Sequence, residues 1–72
     1  MTNTELLEKK ILSSGLKRSY IAMVLGITRQ LLWKKVKNQT PFNQYEIEKM
    51  CKLLAITSLR EKESIFFAHN VD

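Results

Sequence analysis

The residues best equipped for chemistry crowd into one stretch, "GITRQLLWKKVKN" at 26–38. It carries Arg29, Gln30, Lys34, Lys35 and Lys37, with no acidic residue among them. Arginine presents a planar fork of donors that fits two acceptors on guanine. Glutamine's amide pairs with adenine, and lysine reaches guanine acceptors. The same composition also suits an amphipathic helix with a solvated lysine face. Other chemistries lack their parts. The chain shows no acid–base pair, nucleophile set, phosphate-cradling loop or metal-ligand spacing, so no enzymatic activity, metal or cofactor is expected. Cys51, alone, reads as a small buried hydrophobe. His69, also alone, is given no role.

Charge is distributed unevenly. The 72 residues carry a net +5. From Lys9 to Tyr45 there are eight basic residues and no acid, whereas residues 46–72 are nearly balanced. A basic block beside a balanced half is the footprint of a polyanion partner. The length fits one domain near the lower limit for independent folding, which makes self-association plausible. No apolar run approaches a membrane span and no secretory signal is visible, so a cytoplasmic location without membrane contact is expected.

Five short helices would position these residues. Thr2 and Asn3 are candidate N-caps of the first, with Thr2-x-x-Glu5 as a candidate capping box. Leu7 and Ile11 share its inward face and Gly15 stops it. Ile21, Ala22 and Leu25 line the second, which Gly26 ends. Thr28 caps the third, with Leu32 and Val36 inward. Pro41 bars its continuation. Asn43-x-x-Glu46 opens a fourth, where Ile47, Met50, Cys51 and Leu54 recur at helical spacing. Ser58-x-x-Glu61 caps a fifth, 59–68. Glu5–Lys9 and Glu48–Lys52 are i,i+4 pairs. With no alternating strand pattern, the expectation is a single all-α domain over 1–72.

The joint between the second and third helices is specific. Ala22 is small where a second helix would cross. Gly26 accepts positive φ in the turn. Ile27 plugs the corner, and Leu32 anchors the next helix from below. On these residues, from about 6 to 56, the chain resembles the Cro/lambda-repressor-like helix-turn-helix family, also called the xenobiotic-response-element type. The resemblance implies a compact five-helix DNA-binding domain with the helix-turn-helix at helices two and three, 17–37. The recognition helix, 28–37, would enter the major groove of double-stranded operator DNA, usually as a homodimer. The short length and the ending "SIFFAHNVD" resemble small temperate-phage regulators. The implied function is a phage-type transcriptional regulator of a lysogeny–lysis switch in a bacterial cell. The alternative is an antirepressor that binds the cognate phage repressor and blocks or alters its DNA binding.

Carried over by position, Arg29, Gln30 and Lys34 are the candidate base contacts. Lys17, Arg18, Thr28, Lys37 and Asn38 are the candidate phosphate contacts, which position without specifying; Asn38 also suits a C-terminal stop. Three residues depart from the family's pattern. Lys17 replaces the usual Ser or Thr cap of the second helix, Arg18 replaces a frequent Gln, and Lys35 stands where the third helix usually ends its core face. Trp33 is expected to pack on the "PF" turn, with a thymine methyl, a sugar or a protein partner as the open alternatives. For the antirepressor reading, the candidate partner contacts are Trp33, Glu46, Glu48, Glu61, Glu63, Ile65, Phe66 and Phe67, with Asp72 adding to the acidic half. Glu46 and Glu61 have a competing role as caps. Ile65, Phe66 and Phe67 are consecutive, so one helix cannot bury all three, leaving at least one for dimerisation or a folded-back tail.

Overall fold

Short polar side chains begin four of the five helices. The computed structural model describes residues 1–69, which form α1 (Thr4–Ser14), α2 (Arg18–Leu25), α3 (Arg29–Val36), α4 (Gln44–Leu53) and α5 (Leu59–Phe66). Asn3, Thr28, Asn43 and Ser58 accept from the N–H groups of Leu6, Leu31, Glu46 and Glu61. Each such cap contributes about 1 kcal/mol. The Asn43–Glu46 box is reciprocal, with both side chains bonded to the other's backbone. At α1 the cap is Asn3 rather than Thr2, which is buried instead. At α2, Lys17 makes no side-chain cap, as its chemistry dictates. Among the described residues there is no strand, and no helix is long and apolar enough to cross a membrane.

The helix ends set the turns. Gly26 takes φ 76°, and its N–H and that of Ile27 bond back to Met23 and Ala22. This double bond-back turns the chain so that only three residues, Gly26, Ile27 and Thr28, separate α2 from α3. Asn38, φ 66°, ends α3 in the same manner, with its N–H on Lys35 and that of Gln39 on Lys34. The stop is therefore Asn38, ahead of Pro41. Beyond α4 the left-handed position falls to Ala55, φ 55°, an exposed residue. A Cβ there costs about 1–2 kcal/mol, and glycine's extra unfolded-state freedom returns about 0.5–1 kcal/mol of that. Ala55→Gly is thus expected to stabilise the domain by up to about 1 kcal/mol, raising the thermal midpoint by several degrees. Thermal unfolding followed by circular dichroism checks this; a lowered midpoint refutes the strain.

Every helix sends side chains to one core. Leu7, Ile21, Leu32, Val36, Met50 and Ile65 are the largest fully buried residues. α2 packs on α3 and α4, and α1 packs on α3 and α5. The radius of gyration, 11.2 Å, is that of a compact chain of this length, about 11 Å. Residues 1–3 tie the ends of α3 and α5 together. Thr2 and Asn38 exchange hydrogen bonds between backbone and side-chain amide, and the Asn3 N–H donates to Ile65 C=O at 2.7 Å. The Thr4 hydroxyl donates to Val36 C=O at 2.6 Å.

Candidate functional site

α3 has two unlike faces. Leu32, Lys35 and Val36 point into the protein, while Arg29, Gln30, Trp33, Lys34 and Lys37 are exposed. Thr28, spent as the cap of α3, still has a hydroxyl hydrogen to donate. Arg18, from the first turn of α2, joins Thr28, Arg29, Gln30, Leu32, Trp33 and Lys34 around one concave surface, and no carboxylate lines it. All three candidate base contacts and two of the candidate phosphate contacts therefore converge. Lys17 is exposed at the start of α2, and Lys37 and Asn38 lie at the far end of α3. Asn38's amide is committed to the Thr2 backbone. Asn38 ends α3, and one of its two amide hydrogens is left over for another acceptor.

One participant escaped sequence reading. Glu8 of α1 places the same carboxylate oxygen 3.8 Å from Arg18 and 3.1 Å from Lys37. It lies just outside the acid-free block in sequence but inside the basic surface in space. The signal available was its place beside the inward Leu7, on a helix that packs against α3. These half-exposed pairs contribute little to stability. Their effect is to hold the cation at the start of α2 and the cation at the end of α3 around one anion.

Lys35 explains how α3 is seated. Its ammonium donates to Glu46 at 2.8 Å and to Pro41 C=O at 2.9 Å, and lies 6.0 Å from the centre of the Phe42 ring. Phe42 in turn meets Phe66 edge-to-face at 5.5 Å. The "PF" turn is thus covered by Lys35 and not by Trp33, correcting the expectation for the tryptophan. Residues two apart on a helix point about 200° from each other, so both cannot face the turn. Trp33 remains 46% exposed on the concave surface.

The acidic candidates are largely engaged within the chain. Glu46 is 4% exposed, and its carboxylate accepts from Lys35 and from the Asn43 N–H. It faces no partner. Glu48 pairs with Lys62 at 2.7 Å instead of Lys52. That bond and charge hold the Glu48 carboxyl below its ordinary range and the Lys62 ammonium above its own. Glu61 meets Lys10 at 3.0 Å. Glu63 is exposed, and Asp72 lies outside the described residues. Ile65 and Phe66 are buried in the core, so of the three consecutive apolar residues only Phe67, 45% exposed, is presented outward. Cys51 is half-buried against the core, and burial pushes its thiol pKa up. No three His, Cys, Asp or Glu side chains gather as a metal site among the described residues.

Comparison of the chain with protein-family models, curated proteins and solved structures finds no match.

Proposed function

We propose that the chain is a DNA-binding transcriptional regulator in which α2, the Gly26 turn and α3 act as a helix-turn-helix. The observation that carries this reading is the concave surface where Arg18, Arg29, Gln30 and Lys34 meet, with Glu8 beside Arg18 but outside its lining. Ala22 supports it: it is 2% exposed on α2, which packs on α3, leaving room for the close crossing that the motif needs. In this reading α3 lies in the major groove of an operator duplex, while Lys17, Arg18, Thr28 and Lys37 meet phosphates on either side. The basic block from Lys9 to Tyr45 and the resemblance to small phage regulators favour a lysogeny-type switch in a bacterial cytoplasm. The antirepressor reading draws on an acidic face, and Glu46, Glu48 and Glu61 are held by cations of the same chain. It stays as an outcome of the test.

The test is duplex binding across a salt series. Three phosphate-facing cations per protomer give log K a slope of about −3 against log salt. Glu8→Gln releases Arg18 and Lys37 from their shared anion, so that variant is expected to bind more tightly. A protein that binds no duplex at low salt, yet displaces a repressor from its operator, is the antirepressor and not the DNA reader. A Glu8→Gln variant that binds more weakly would show that Glu8 places those cations for DNA and does not hold them back.

A further inference from the structure

The one tryptophan of the chain is exposed on the concave surface that it shares with Arg18, Arg29 and Lys34. Among the described residues its ring takes no part in the internal aromatic contacts: Phe42 packs on Phe66, and the cation–ring contacts are Lys35 with Phe42 and Lys49 with Tyr45. From a helix, a long side chain lies over the turn preceding its own Cα. For Trp33 that turn holds Arg29 and Gln30, the candidate base readers, and the indole shares their concave surface. An exposed apolar ring ringed by cations fits a partner that is anionic overall and carries an apolar feature within reach of hydrogen-bonding groups. In the major groove the base edges offer one such feature, the C5-methyl of thymine.

We propose that Trp33 is a specificity-determining residue that packs its indole on thymine methyl groups of the duplex read by α3. The inference rests on the DNA-binding reading above. It deepens that reading by assigning A·T preference to an apolar contact beside the hydrogen-bonding Arg29, Gln30 and Lys34.

The experiment starts from duplexes selected by the full chain from a random pool. Each thymine of a selected duplex is then replaced singly by uracil, which removes the methyl and leaves the hydrogen-bonding pattern intact. Affinity is expected to fall about fourfold at each contacted position, the factor for losing one buried methyl-sized group. Trp33→Ala is expected to bind more weakly and to be indifferent to uracil at those positions. Trp33→Phe, which keeps an apolar ring, is expected to stay sensitive. Emission from the single tryptophan is expected to change on binding the thymine duplex and to change less with uracil. If duplexes are selected but uracil is without effect, or Trp33→Ala keeps the wild-type sensitivity, this inference fails and DNA binding stands. If no duplex is selected, or single strands bind more tightly than duplexes through stacking on the indole, both fail.

Discussion

Replacing Glu46 with alanine is expected to destabilise the domain by about 3–5 kcal/mol, the cost of leaving one partner of a buried ion pair alone. A chain of this length has only about 4–11 kcal/mol in total, so the variant is expected to be partly unfolded at physiological temperature. Two losses combine. The Lys35 ammonium keeps only the Pro41 carbonyl and the Phe42 ring, and the Asn43 N–H loses the acceptor that completes the capping box. Glu46→Gln keeps an acceptor for both donors and is expected to cost less. Lys35→Met with Glu46→Gln removes the buried charge altogether and is expected to return near wild-type stability, because burying two charges carries a desolvation cost of its own. Urea unfolding of the four proteins checks the order. A Glu46→Ala variant within about 1 kcal/mol of wild type, the range of an exposed pair, would show that the ion pair does not hold α3 to α4.

That pair also marks the boundary of what the sequence makes legible. Local rules carry far here. Asn43 and Glu46 form the box that their spacing predicts, and Gly26 bends the chain as a glycine with positive φ must. The inward stripes Leu7–Ile11, Ile21–Ala22–Leu25 and Leu32–Val36 are buried, and so are Ile47, Met50 and Leu54 of the fourth, whose Cys51 is only half-buried. Each of these depends on residues within about one helical turn of each other. What the sequence hides depends on partners distant along the chain. Lys35 reads as a break in a core face because its partner is eleven residues on, beyond a turn. Glu8 reads as lying outside the basic block because its proximity to Arg18 and Lys37 depends on how α1 packs on α3. Glu48 prefers Lys62 on α5 to the expected Lys52 one turn away. Trp33 follows from Lys35: once the lysine covers the turn, the tryptophan must face outward. Ala55 hides for a different reason, since a left-handed residue other than Gly or Asn leaves no compositional mark.

The placement of Gln30 and Lys34 is legible because helical spacing puts them opposite Leu32 and Val36, whereas Arg29 is exposed as the first residue of α3; this face carries the largest expected effect on binding. The double variant Gln30→Ala/Lys34→Ala is expected to lose about 30-fold to 10⁴-fold in affinity for a selected duplex, at about 1–3 kcal/mol per base contact. Both side chains are exposed, so helix content and unfolding midpoint are expected to hold, which separates lost reading from lost fold. Random duplex should be bound nearly as before, since the sequence-independent part belongs to phosphate contacts. Lys17→Ala/Lys37→Ala provides the contrast. It should weaken selected and random duplexes alike and reduce the salt slope by about two. The two double variants therefore divide the basic surface by kind of contact: one changes the ratio of specific to non-specific affinity, the other changes both affinities and leaves the ratio. If Gln30→Ala/Lys34→Ala weakens both duplexes in parallel, α3 contributes charge and no reading. If it retains full preference for the selected sequence, the reading face lies elsewhere on the molecule. Glu8 makes the division sharper, because its bridge touches Arg18 and Lys37 and none of the three candidate readers. A change at Glu8 should therefore move affinity and salt dependence while leaving the sequence preference of α3 where it was.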